Sequence, residues 1–228
     1  MRTAKAFVSA GEEVAALIDS CRNQAVQLLI VRCPAEELAV AQALEDAGGR
    51  LMDVLVYLAR DLHATQIPVD VGHVSIRSAR REDAEAVASV AREGFKGYVG
   101  HYHADPRLDR GACDEVYVSW ARRSCLSRQV ADEVLVAEDA GILLGFLTLR
   151  RNGPEEGEVL LGGVAPAAKG KGIYRSLLVR GMEWCREQGA RRTLYSTQIV
   201  NIAAERILTR VGFELHHSYL TFHKWFEV

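Results

Sequence analysis

The sequence predicts an α/β (α+β) fold in two parts: a small N-terminal α/β domain over residues 1–72 and a larger unit over residues 73–228. Three observations lead there. Short apolar runs of strand length alternate with segments whose apolar residues recur every three to four positions. A polar stretch from Asp61 to Gly72, broken by Pro68, separates the two parts. The densest signal is Gly157–Phe213, which reads strand, glycine-rich turn, helix, strand, asparagine, helix and then Gly212-Phe213.

In the N-terminal part, Gln27–Cys33 has the composition of a buried strand. Pro34 in a first turn, with Glu36 and Glu37, favours a helix through Glu45, because proline and acidic side chains suit a helix N-terminus. Gly48-Gly49 stops it, and Leu51–Leu58 reads as a second strand. Leu44, Gly48 and Leu51 share the spacing of Leu208, Gly212 and Leu215, a faint echo that helix–glycine–strand units also produce by chance. The larger unit starts with a strand at Val74–Arg77 and a helix at Asp83–Glu93, stopped by Gly94. Ala112–Arg122 is a second helix with Cys113, Val116, Tyr117 and Trp120 on one side. Glu133–Ala137 and Ile142–Leu149 form a hairpin across Asp139-Ala140-Gly141. Glu158–Val164, the Gly172–Gln188 helix, Thr193–Gln198, the Asn201–Val211 helix and Leu215–Trp225 complete the series.

The turn Ala168–Arg175 follows the apolar run Val159–Val164 and opens a helix with Ile173, Leu177, Gly181 and Cys185 on one face. Such a turn aims N–H groups without intrahelical acceptors outward, at the positive end of the helix dipole, and so suits a phosphate or pyrophosphate. Lys169, Lys171 and Arg175 add positive charge. The order fits neither a P-loop, which needs Gly-Lys followed by Ser or Thr, nor a dinucleotide turn, since Arg175 stands where the third glycine belongs. Glycines serving only tight strand–helix packing remain an alternative. Gly162-Gly163 marks an expected bulge in the preceding strand.

The turn and the later asparagine-led helix together resemble the GNAT superfamily of acyl-CoA-dependent N-acyltransferases. The matching residues are Lys169-Gly170-Lys171-Gly172-Ile173-Tyr174, then Asn201, Ala203, Ala204, Gly212 and Phe213. The resemblance implies a GNAT-like mixed, largely antiparallel sheet with helices on both faces. It also implies acetyl-CoA or another short acyl-CoA as cosubstrate, with no metal. Cofactor contacts then fall to Gly162, Val164, Lys169, Gly170, Lys171, Gly172, Ile173, Tyr174, Arg175, Asn201 and Ala204. Lys169 and Tyr174 depart from the family pattern of Gln/Arg and Gly/Ala. Tyr174 is expected to crowd the turn or roof the cofactor, and Leu208 stands where many members carry a thiolate-protonating tyrosine.

The loop Phe95–Arg107 is long and rich in aromatic, histidine and arginine residues, as functional loops often are. His101-x-His103-x-Asp105 is a weak metal pattern, and the loop reads better as the acceptor wall. Tyr102, His103, Asp105, Arg107 and Gln198 are its expected contacts, with an aromatic stacking on a base or sugar and Arg107 or Arg110 pairing with a diphosphate. Tyr102-His103-x-Asp105-Pro106-Arg107, Gly170–Tyr174, Thr197-Gln198 with Asn201, and Thr221–Trp225 are similar to the TDP-amino-sugar acyltransferases of the TDP-fucosamine acetyltransferase type. The resemblance implies acyl transfer to the amine of a nucleotide-linked amino sugar, with polysaccharide biosynthesis as its setting. His103 and His223 are candidate proton acceptors and Asn201 a candidate for fixing the pantetheine or the sulfur's proton. For each histidine a structural hydrogen bond is the competing role. Another small amine or a protein amine as acceptor, an idle acyl-CoA-binding regulatory domain, and a purely structural domain are the alternatives.

With net charge −2 and dispersed basic residues, neither nucleic acid nor an anionic membrane is suggested as a partner. A homodimer is compatible with the reading. The five cysteines lack a Cys-x-x-Cys pair and read as reduced packing residues. Charged residues near the N-terminus and the absence of a long apolar run make the cytoplasm the expected location.

Overall fold

The computed structural model describes residues 1–228 apart from Thr65, Val71, His73 and Val228. The expected start of the larger unit at residue 73 therefore lies outside the described residues. Nine strands and seven helices are described: β1 (Thr3–Phe7), α1 (Glu12–Asn23), β2 (Leu28–Pro34), α2 (Leu38–Asp46), β3 (Arg50–Asp61), β4 (Ser75–Ser78), α3 (Ala84–Gly94), α4 (His101–Ala104), α5 (Arg110–Leu126), β5 (Glu133–Asp139), β6 (Ile142–Arg151), β7 (Glu156–Val164), α6 (Ile173–Glu187), β8 (Arg192–Gln198), α7 (Ile202–Arg210) and β9 (Glu214–Trp225). The strands form one mixed, mostly antiparallel sheet in the order β1-β2-β9-β3-β8-β7-β6-β5-β4. Among the described residues no helix is long and apolar enough to cross a membrane.

Side chains alternate between the two faces, as the strand period requires. Leu135 and Ala137 of β5 pack with Leu177, Leu178 and Met182 of α6, while Val136 between them packs with Val87 and Ala91 of α3 and Ala121 of α5. Val14, Ile18 and Cys21 of α1 and Val40 and Leu44 of α2 cover Leu29, Val31 and Phe222. The opposite side of β2 and β9 presents Arg32, Thr221 and His223 to the face that carries α3, α4 and α5.

The N-terminal segment is woven into this sheet. The C-terminal strand β9 lies between β2 and β3, and β3 pairs antiparallel with β8. From β1 to β7 the order is self-similar: β1-α1-β2-α2-β3 runs like β7-α6-β8-α7-β9, with parallel pairs β1/β2 and β7/β8 at the ends and the antiparallel pair β9/β3 in the middle. The spacing echo of Leu44-Gly48 and Leu208-Gly212 falls at equivalent places. Each glycine leaves its helix at positive φ (+78 at Gly48, +87 at Gly212), and Gly49 and Phe213 donate to the carbonyls of Leu44 and Leu208. At Gly212 a Cβ would come within 1.6 Å of Arg60 Nη1, so the buried Arg60, which donates to the Val211 carbonyl, admits glycine alone there.

The halves differ in one functional respect. β1 and β2 pair from Thr3/Leu28 to Phe7/Arg32, and the first turn before α1 is filled internally, with the Ser9 and Ala10 N–H groups donating to the Glu13 carboxylate. β7 and β8 pair only from Glu156/Arg192 to Val159/Tyr195 and then part. The register shift that opens this fork sits between Val159 and Leu161 on β7. The bulged residue is thus Leu160, not the Gly162-Gly163 pair.

Candidate active site

Two clefts meet at the fork. One, of about 640 Å³, runs between the end of β7, the N-terminus of α6, the start of α7 and the loop after α3. Gly162, Val164, Lys169, Gly170, Gly172, Ile173, Tyr174, Arg175, Asn201 and Ala204 all line it; of the residues expected there, Lys171 does not. Gly170 and Gly172 hold φ of +78° and +77°, and a Cβ at either would meet nothing within 4 Å. No neighbouring protein atom demands glycine. The backbone conformation and an open approach to the first turn of α6 do. No side chain caps α6 at Gly172, so its leading N–H groups are left for a ligand. Arg175 is partly committed elsewhere, donating to the Val69 carbonyl.

Tyr174 does not roof this cleft. Its side chain reaches into the fork, where its hydroxyl bonds that of Tyr195 and lies 2.9 Å from where a Cβ on Gly162 would stand. Burial pushes both phenols up; for Tyr195 the hydroxyl contact from Tyr174 acts in the other direction and favours loss of the Tyr195 proton. Asn201 caps α7: its Oδ1 accepts from the Ala204 N–H at 3.3 Å and its Nδ2 donates to Thr197 Oγ1 at 3.0 Å. Its amide therefore holds the fork's rim. Leu208 is fully buried, away from both clefts.

The second cleft, about 550 Å³, lies on the opposite face of the sheet and shares Phe95, Tyr98, Gly162, Tyr195 and Asn201 with the first. Tyr102 and Gln198 line it as expected, but His103, Asp105 and Arg107 do not. His103 lies parallel to Tyr117 and its Nε2 meets Asp114 at 2.9 Å, so its side chain is buried against α5. The Arg107 guanidinium sits 4.3 Å over the Trp225 ring. Asp105 is buried beneath the cleft and accepts from Trp225 Nε1, the Arg107 N–H and His223 Nδ1. Only 1% exposed, His223 cannot touch a substrate directly. Of the loop residues expected at the acceptor, Tyr102 lines this cleft, while His103, Asp105 and Arg107 pack outside it.

Other residues occupy the second cleft. Lys5 of β1 and Arg32 of β2 reach it from the N-terminal segment, joined by Arg123 and Arg150, while Glu158 of β7 is the facing carboxylate. Four cations against one anion favour a negatively charged ligand. Glu158 Oε2 accepts from Asn152 Nδ2 at 2.8 Å, and burial, followed by the nearby Glu156 charge, holds its carboxyl above the usual range. His101 also lines this cleft and is pushed down to about 3, chiefly by burial. Among the described residues no group of three or more His, Cys, Asp or Glu is placed to hold a metal ion.

Residues 101–213 match the family described as Acetyltransferase (GNAT) family. The spore coat polysaccharide biosynthesis protein SpsD of Bacillus subtilis (strain 168) is 33% identical over 144 residues, covering 63% of this chain and 48% of that protein. A mycothiol acetyltransferase of Rhodococcus erythropolis is 27% identical over 168 residues, covering 72% and 54%. The chain spans about half the length of these curated relatives. Among solved structures, a GCN5-related N-acetyltransferase from Kribbella flavida superposes with a TM-score of 0.67 at 15% identity, covering 95% of this chain and 77% of that one. One from Sphaerobacter thermophilus gives 0.64 at 18% identity, covering 94% and 66%. Both likenesses concern the fold.

Proposed function

We propose that the chain, whose residues 101–213 match the GNAT acetyltransferase family, is an acyl-CoA-dependent N-acyltransferase whose acceptor is a phosphate-bearing amino sugar, in the first instance a TDP-linked one. The observation that carries this reading is the meeting of two unlike clefts at the β7–β8 fork. The family uses acetyl-CoA as cosubstrate, and the open glycine turn with uncapped N–H groups fits a pyrophosphate. The cationic, aromatic second cleft fits an acceptor with both a ring system and a phosphate. The name of SpsD, which places that protein in polysaccharide biosynthesis, agrees with a sugar acceptor.

Amide formation joins the acceptor nitrogen to the acyl carbon, breaks the carbon–sulfur bond and moves one proton off the amine and one onto the thiolate. Glu158 takes the amine proton: its carboxylate lines the acceptor cleft on the strand that forms the fork, and burial raises its affinity for protons above that of an exposed carboxylate. Tyr195, lining both clefts with Tyr174 bonded behind it, donates its O–H toward the sulfur, the role that the buried Leu208 cannot fill. The fork's free edge on β7 offers N–H groups to the thioester oxygen.

Lys5 and Arg32 provide the test, because they come from outside the matched domain and stand in the acceptor cleft alone. Lys5→Ala and Arg32→Ala are each expected to raise the acceptor KM by about 10-fold or more, as losing one charge-assisted contact to a phosphate implies, with the acyl-CoA KM unchanged. A shift in the acyl-CoA KM instead would reverse the assignment of the two clefts.

A further inference from the structure

A chain of hydrogen bonds that the proposed chemistry does not use runs from the core to the acceptor cleft. Asp105 (3% exposed) accepts three donors: Trp225 Nε1–H at 2.8 Å and His223 Nδ1 at 2.7 Å on one oxygen, the Arg107 N–H at 3.0 Å on the other. A carboxylate bound by an indole and a backbone amide, both obligate donors, is an acceptor throughout, so His223 carries its proton on Nδ1. With the His223 ring neutral, its Nε2 is then a lone pair, 2.9 Å from His101 Nδ1. His101 must donate there, which puts its own proton on Nδ1 and leaves Nε2 bare. That Nε2 has no protein partner among the described residues and is not one of the buried unpartnered atoms. His101 lines the acceptor cleft beside Tyr102, whose ring lies 3.9 Å from it and whose hydroxyl accepts from Lys5 Nζ at 3.1 Å.

We infer that His101 is a recognition residue of the acceptor cleft, its Nε2 held as a fixed hydrogen-bond acceptor that selects a substrate group bearing an N–H or O–H. The inference rests on the cleft being the acceptor site. The ligand group is a hydroxyl of the amino sugar or the imide N–H of a pyrimidine base, two of the donors a nucleotide-linked sugar offers to a neutral imidazole. The buried Asp105–His223 pair is the positioning element: it sets the tautomer from behind without touching substrate. Two segments far apart in sequence, α4 with Asp105 and β9 with its His223 and Trp225, make this one device. A hydrogen-bond donor at the same place would repel the group that the acceptor selects, so the tautomer itself is the source of discrimination.

Two measurements test it. Nitrogen-15 NMR of the imidazoles in the full chain is expected to find His101 and His223 both protonated at Nδ1 and bare at Nε2; a His101 protonated at Nε2 overturns the inference. In kinetics, His101→Asn places its amide where Nδ1 was and removes the cleft acceptor, whereas His101→Gln places its oxygen near the Nε2 position. His101→Asn should lower kcat/KM for the acceptor by roughly 10-fold, the loss of one specific hydrogen bond, with the acyl-CoA KM unchanged and with His101→Gln recovering much of the loss. Running a TDP-linked amino sugar beside its amino-sugar 1-phosphate separates the two donors: a loss seen with both assigns a sugar hydroxyl, a loss confined to the nucleotide assigns the base. Unchanged acceptor kinetics in His101→Asn overturns the inference even with the expected tautomer. A rise in the acyl-CoA KM with the acceptor spared means instead that the assignment of the clefts has failed, which the NMR result leaves visible as a separate outcome.

Discussion

Glu158→Gln is expected to lower kcat by about 10²–10⁴-fold, the range for losing a positioned general base, while leaving both KM values within a few-fold of the wild type. The acidic limb of the pH profile should go with it. Glu158 works as the carboxylate, and burial holds its carboxyl above the ordinary range, so wild-type kcat/KM should fall as pH drops through that raised value. The variant has nothing to protonate there and should be flat over the same interval. The sign of the linkage separates this loss from a loss of folding. A carboxyl whose folded-state proton affinity is raised contributes stability at low pH and loses that contribution as pH rises, so removing its charge does not cost stability at neutral pH. Thermal unfolding of Glu158→Gln near pH 7 should thus match or exceed the wild type. Tyr195→Phe is the companion: it should lower kcat with both KM values retained and alter the alkaline limb, since Tyr195 acts in its protonated form. Wild-type kcat in Glu158→Gln would remove that residue from the mechanism and return the base to water.

Gly172→Val should strike binding. Valine at φ +77° adopts a left-handed conformation at a cost of roughly 1–2 kcal/mol, and its methyls enter the open space over the first turn of α6. Blocking one N–H contact to a charged phosphate, contributing about 1.5–3 kcal/mol, implies a rise of about 10–100-fold in the acyl-CoA KM. The acceptor KM should stay near wild type. Beyond its chain neighbours nothing lies within 4 Å of the site of the new Cβ, so the cost to the fold is that backbone strain alone. A variant that stays folded with unaltered acyl-CoA affinity would place the phosphates elsewhere.

The sequence was most legible where local chemistry is strongest. The glycine turn, the apolar face of α6 and the Asn201 cap lie within one continuous stretch, and each is a short-range consequence of residue type. The acceptor cleft was not legible in that way. Lys5 stands on a short edge strand with only intermediate or exposed residues, and it meets Tyr102 only because β9 seats β1 and β2 beside α4. Arg32 is the polar interruption in an otherwise buried strand, which marks a position facing something other than core but does not say what. Glu158 lay in an expected strand as the acidic residue before an apolar run. Its importance depends on the bulge at Leu160 and the fork beyond it, which follow from pairing with β6 and β8. His103 and His223 drew notice for their ring chemistry, yet Asp114 and Asp105 hold them in packing roles. His101, two positions from the favoured histidine, is the one whose free nitrogen faces the cleft.

The most direct test of the central claim is the release of free CoA from acetyl-CoA, measured against a panel that pairs a TDP-linked amino sugar and an amino-sugar 1-phosphate with uncharged amino sugars and unrelated amines. Saturable thiol release with the phosphate-bearing sugars, and little turnover with the uncharged ones, is the predicted result. Acetyl-CoA binding without thiol release from any acceptor, or equal turnover of charged and uncharged amines, would contradict it.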